Sequence, residues 1–161
     1  MADQQRDSQT DSGSYVKAGE AYSRDMNYLP DRITQNGNAP VDDRAGTGKP
    51  PVAGAPLWPV EPGRYRLIAA KACPWATRAL IVRDLLGLQD VISVGLPGPT
   101  HDERSWTFDL DPDGRDPVLG IERLQEAYFN RDPQYPRGIT VPAIVEVDSG
   151  KVVTNDFPWI T

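Results

Sequence analysis

The 161-residue chain has one cysteine, Cys73, in the run Ala72-Cys-Pro-Trp-Ala76. A lone cysteine excludes an internal disulfide, a Cys-x-x-Cys redox pair and a cysteine-based zinc cluster. What it leaves is single-thiol chemistry. The thiolate is the attacking form, and backbone N–H groups at the start of a helix favour it. Pro74 suits the first turn of a helix, and Lys71 and Arg78 add positive charge nearby. Cys73 is therefore read as a nucleophile, against the plainer reading of a buried, inert thiol. With no second cysteine to resolve it, a mixed disulfide on Cys73 needs an external thiol for release.

Val141-Pro142 is the second candidate feature. A cis proline at a strand entry leaves the preceding residue free to offer its N–H and C=O to an extended ligand. A trans proline at a strand start is the alternative. Trp106 and Phe108, as a bare pair, read as a hydrophobic staple holding a loop. His101 reads as a loop residue. Asp109, Asp111, Asp113 and Asp116 alternate as in a calcium loop, but they lack the closing glutamate and are interrupted by Pro112. No metal site is expected.

The elements that must position Cys73 follow from patterning. Tyr65 to Ala70 reads as a buried strand. Trp75, Ala79, Val82 and Leu86 recur at helical spacing, and Gly87 is a natural stop. Val91 to Val94 reads as a second strand, which makes a parallel βαβ unit. Gly95 to Asp116 reads as irregular, and Pro117 to Phe129 as a helix. Val141 to Val147 and Lys151 to Thr154 read as two strands joined by a turn at Asp148-Ser149-Gly150. Asn155-Asp156 opens a last helix that is only a stub. The order β-α-β-α-β-β-(α) is that of a thioredoxin-like α/β fold. With its final helix truncated, it is expected to leave apolar sheet surface exposed.

Residues 1–63 read as a long, irregular N-terminal arm, rich in Gly, Pro, Asp and Asn; residues 64–161 read as the folded domain. Tyr15, Tyr22 and Tyr28 of the arm are candidate docking residues; Trp58 of the arm and Trp159 of the domain are candidate anchors for a partner domain. The net charge is −6, with 16 prolines and 14 glycines. That charge gives no basic footprint for nucleic acid and argues against anionic membrane. No apolar run spans a bilayer and the first residues lack a signal-peptide core, so a cytoplasmic protein is expected.

Several segments together resemble the N-terminal domain of glutathionyl-hydroquinone reductases, the Xi-class glutathione transferases. They are Ala72-Cys-Pro-Trp-Ala76 with Arg78, Leu86-Gly-Leu88, Asp90 to Val94, Trp106-Thr-Phe108, Leu124 to Tyr128 and Thr140-Val-Pro142. The resemblance implies that Cys73 attacks the sulfur of a thiol-hydroquinone conjugate and carries a mixed disulfide. A second thiol molecule then regenerates it. It also implies that Trp75 packs against the bound thiol, that Val141 pairs with its backbone while Pro142 holds that geometry, and that Asp156 takes a γ-glutamyl amine. Trp106 and Phe108 would line the electrophile site. Thr77 stands where the family usually has His, and Asp156-Phe157 where it has Glu-Ser. Phenylalanine offers no hydroxyl to a glutamyl carboxylate, so the thiol is read as glutathione or mycothiol. The family continues into a helical domain that this chain lacks, so a helical partner chain or a homodimer is a further expectation. Alternatives are a catalytically incomplete remnant that binds a thiol or a partner, and a monothiol glutaredoxin-like reductase.

Overall fold

The computed structural model describes residues 28–29, 31–35, 58–99, 101–102, 105–135 and 138–161. Tyr15 and Tyr22 lie outside them. The elements are β1 (Tyr65–Ile68), α1 (Pro74–Leu85), β2 (Ile92–Gly95), β3 (His101–Asp102), β4 (Ser105–Trp106), a 3₁₀ turn (Pro112–Gly114), α2 (Leu124–Arg131), β5 (Ala143–Glu146), β6 (Lys151–Thr154) and α3 (Phe157–Ile160). The main sheet has the order β2-β1-β5-β6. β1 and β2 are parallel, with Leu67 opposite Val94. β5 runs antiparallel to both β1 and β6. This is the thioredoxin-like α/β arrangement expected from the sequence.

All four residues of β1 and of β5 are buried. Burial of every residue along a strand belongs to strands covered on both faces, and the charged members, Arg66 and Glu146, are buried with partners. The core is built on Leu67, Ile68, Val145, Val152 and Val153, with Leu124, Ala127 and Tyr128 of α2 packed onto it. The apolar face of α1 differs from the expected one. Ala76 and Ala79 are its buried residues, whereas Trp75 and Leu86 are exposed. Alanines let this helix lie close to its neighbours, and the larger side chains are turned outward. Arg83 closes the βαβ connection by donating from Nε to the Ile92 carbonyl at 2.7 Å and from Nη2 to the Gln89 carbonyl at 3.0 Å.

The helix expected at Pro117 begins only at Leu124. Asp116 captures the amides of Val118 (3.0 Å) and Leu119 (2.8 Å) with its Oδ1. Gly120 then takes a positive φ of 68°. That side-chain-to-backbone turn competes with helix. The segment expected to be irregular also holds the short β3–β4 pair.

Apolar sheet surface is not left bare, and the reason lies before residue 64. Tyr28 and Trp58 are buried. The Trp58 indole donates to Asp31 Oδ2 at 2.8 Å, and Asp31 also pairs with Arg131 at 2.6 Å. Trp58 is thus an internal residue of this fold. Leu29 is fixed to the far end of the chain: its amide donates to Asn155 Oδ1 at 2.7 Å and its carbonyl accepts from the Thr154 hydroxyl at 2.7 Å. A cavity of about 330 Å³ remains between residues 31–34, Ile144, Thr154, Trp159 and Ile160.

Candidate active site

Cys73 stands at the N-cap of α1 with extended backbone (φ −99°, ψ 116°), and Pro74 opens the helix. The sequence makes this local geometry in a simple way. β1 ends at Ile68, and the Cys73 amide closes a turn onto the Ala70 carbonyl at 3.0 Å. Proline then supplies a helical φ without an N–H that would go unpaired. The cysteine side chain is half-buried.

Val141-Pro142 is cis. The Val141 carbonyl faces Cys73, with the thiol Sγ 3.6 Å away as donor. Two features separated in the chain are thus brought together: the sulfur at a helix start, and a main-chain segment just ahead of β5. Among the described residues the Val141 amide donates to no protein acceptor.

The segment leading to Val141 is tightly held. Thr140 donates its amide to the Tyr128 hydroxyl at 3.3 Å and accepts from that hydroxyl at its carbonyl at 2.9 Å. Its own hydroxyl accepts from Asn155 Nδ2 at 2.9 Å. Tyr128 is fully buried. Burial pushes its phenol well above its ordinary range, and the neighbouring Tyr135 adds to the shift. Tyr128 therefore remains protonated throughout the range in which proteins are handled.

The remaining candidates divide. Trp75 is 41% exposed and lies against Phe157, with ring centroids 4.5 Å apart; Tyr28 meets Phe157 edge-on at 6.0 Å. Phe157 thus serves as an aromatic spacer between the N-terminal segment and the entry of α1. Asp156 is buried at the start of α3 and pairs with Arg32 Nη2 at 3.3 Å. Arg32 also stacks over the Trp159 ring at 4.3 Å. Burial holds the Arg32 guanidinium below its ordinary value, with Asp156 opposing that shift. Sequence reasoning missed Arg32. Its only signal would have been a charge complementary to Asp156, at a separation of 124 residues. Trp106 is half-buried at the end of β4, whereas Phe108 is fully buried. Phe108 is a core residue here, not part of an open substrate wall. Among the described residues no group of His, Cys, Asp and Glu is placed to hold a metal ion. None of the described helices is long and apolar enough to cross a membrane.

A family model for the glutathione S-transferase N-terminal domain matches residues 72–160. The glutathionyl-hydroquinone reductase of Sphingobium chlorophenolicum is 38% identical over 100 residues, which is 60% of this chain and 31% of that protein. Among solved structures, a glutathione transferase from Gordonia bronchialis is 62% identical with a TM-score of 0.67, covering 83% of this chain and 36% of its own. The glutathione-bound structure of a glutathione transferase homolog from Escherichia coli K-12 is 37% identical with a TM-score of 0.58, covering 64% of this chain and 34% of its own. The chain spans about a third of the length of the relatives it matches. With the thioredoxin-like sheet, the helix-capping cysteine and the cis-proline segment opposite it, the chain belongs to the glutathione S-transferase N-terminal domain family.

Proposed function

We propose that the chain is a thiol-dependent reductase or transferase domain that removes a low-molecular-weight thiol from hydroquinone-type conjugates through Cys73. The observation that carries this reading is the 3.6 Å approach of Cys73 Sγ to the carbonyl of Val141. That distance puts the sulfur beside a main-chain edge able to hold an extended thiol peptide. In the first step the Cys73 thiolate attacks the conjugate's sulfur. A sulfur–sulfur bond forms, the sulfur–carbon bond breaks, and the hydroquinone carbon takes a proton as it leaves. In the second step a free thiol attacks the mixed disulfide, and a small-molecule disulfide departs while the thiolate returns.

Val141 pairs with the thiol's backbone, Pro142 holds that segment, and Trp75 covers the bound thiol. Asp156 faces its ammonium group, in competition with Arg32. Trp106 remains the candidate from the loop region for the electrophile side. Glutathione is the first thiol to test, since glutathione is bound in a relative's structure. Mycothiol is the second, because Phe157 removes a hydroxyl at the glutamyl corner. Ile81, Leu85 and Leu86 are exposed on or just after α1. They support a helical partner or a second copy that completes the electrophile pocket.

The test is mass spectrometry of the chain after exposure to a glutathionyl-hydroquinone and to the corresponding mycothiol conjugate. The expected result is one thiol adduct on Cys73 with release of one hydroquinone, and no adduct on Cys73→Ser. Absence of any adduct with both conjugates would overturn the proposal.

A further inference from the structure

We infer that Tyr128 and Asn155 are positioning residues that set the Thr140–Val141 main chain for thiol docking opposite Cys73, an inference that rests on the function proposed above. One phenolic hydroxyl serves both backbone groups of Thr140, accepting from its N–H and donating to its C=O. The next residue is Val141, whose carbonyl faces the sulfur. Asn155 holds the same residue from the side through the Thr140 hydroxyl, while its Oδ1 is occupied by the Leu29 amide. Tyr128 and Asn155 are both buried, so neither touches a ligand directly. Their effect on chemistry passes through the Thr140–Val141 peptide unit, which carries the Val141 N–H and leads into the Val141 carbonyl.

The arrangement has a particular consequence. A residue that offers its N–H and C=O to an extended ligand must present both at fixed angles, because hydrogen bonds weaken steeply once bent. Thr140 and Val141 precede β5, which begins at Ala143, so the strand ladder does not hold them. The phenol and the amide replace that ladder. Since Tyr128 stays protonated, this support does not change with pH.

The experiment compares two reactions of Cys73 in the same chain. Glutathione disulfide needs the docking edge; iodoacetamide, a small alkylating agent, does not. 2-Hydroxyethyl disulfide serves as an undirected disulfide control. Tyr128→Phe removes the hydroxyl and keeps the ring, and Thr140→Val removes the acceptor used by Asn155 and keeps the shape. The expected result is that each variant reacts with glutathione disulfide about 3- to 10-fold more slowly, as for loss of one or two buried hydrogen bonds. Rates with iodoacetamide and 2-hydroxyethyl disulfide should remain unchanged. If the unaltered chain shows no preference for glutathione disulfide over the undirected disulfide, the docking reading itself fails and the inference falls with it. If the unaltered chain is selective and both variants are equally selective, the positioning role is wrong. A proportional fall in all three rates would mean general loosening around Cys73, and would also overturn it. Should Tyr128→Phe not fold, Thr140→Val decides alone.

Discussion

Replacing Asp116 by alanine removes the centre of a buried charge cluster. Asp116 is fully buried, and its Oδ2 accepts from both Nε and Nη2 of Arg66 at 2.9 Å. The Arg66 side chain is itself only 6% exposed. Alanine therefore leaves a guanidinium in the interior with no anion. Breaking one side of such a pair costs about 3–5 kcal/mol. The amides of Val118 and Leu119 also lose their acceptor. They lie in a surface turn where water replaces it, so they add less than about 1 kcal/mol. The total, about 4 kcal/mol, is a large share of the roughly 5–15 kcal/mol that holds a domain folded. Urea denaturation followed by tryptophan fluorescence measures it. The control is the double variant Arg66→Met/Asp116→Asn, which removes both charges and keeps an oxygen for the two amides. It should cost only about 1–2 kcal/mol, because no uncompensated charge remains. A loss below about 1 kcal/mol for Asp116→Ala, or a double variant as costly as the sum of the two single changes, would refute the reasoning.

Two further outcomes follow from the same parts of the sheet. A methyl group on Gly95 would lie 2.6 Å from both Asp116 Oδ2 and Ile68 Cδ1, so Gly95→Ala should destabilise by about 1–3 kcal/mol in the same urea assay. Glu146 is held below its ordinary carboxylate value; burial opposes this, but the Ser149 hydroxyl and amide and the Arg64 charge outweigh it. A lowered folded-state value means stability that is present above the unfolded glutamate value, near about 4.3, and is lost as pH falls through the folded one. Urea midpoints should therefore fall on acidification below about pH 4.3, and the fall should be smaller for Glu146→Gln.

The sequence was legible where apolar runs and punctuation agreed. Tyr65–Ile68 is a short buried strand, Pro74 starts a helix, Gly87 ends one, and Asp148-Ser-Gly150 turns a hairpin. In each case the signal lies within a few residues of the structure it makes. Where it failed, side chains acted on backbone or across the chain. Pro117 to Phe129 carries helical spacing, yet Asp116 seizes two amides and delays the helix to Leu124. The sign of the true start was Glu126, whose Oε1 accepts from the amides of Glu122 and Arg123 at 2.8 and 2.9 Å. Placing Cys73 at a helix N-terminus required only local pattern, and the cis form of Pro142 came from its context in the fold. The roles of Tyr28, Leu29, Asp31, Arg32 and Trp58 were out of reach, because their partners lie on the far side of the sequence. Phe108 looked like a site residue for the opposite reason: an aromatic in an irregular stretch has the same composition whether it faces a ligand or the core.

The Leu29 clamp closes a stretch of 126 residues, and the Cys73–Val141 approach one of 68. A ribosome adding about 5–20 residues per second takes roughly 3–14 s to make the second of these stretches. Through that interval the thiol is on a chain that still lacks the carbonyl opposite it, and the Tyr128 phenol arrives only late in it. The growing polypeptide thus carries the Cys73 thiol before it carries the main-chain segment that faces it. The clamp between Leu29 and Asn155, which joins the two ends of the described chain, can close only after both are made.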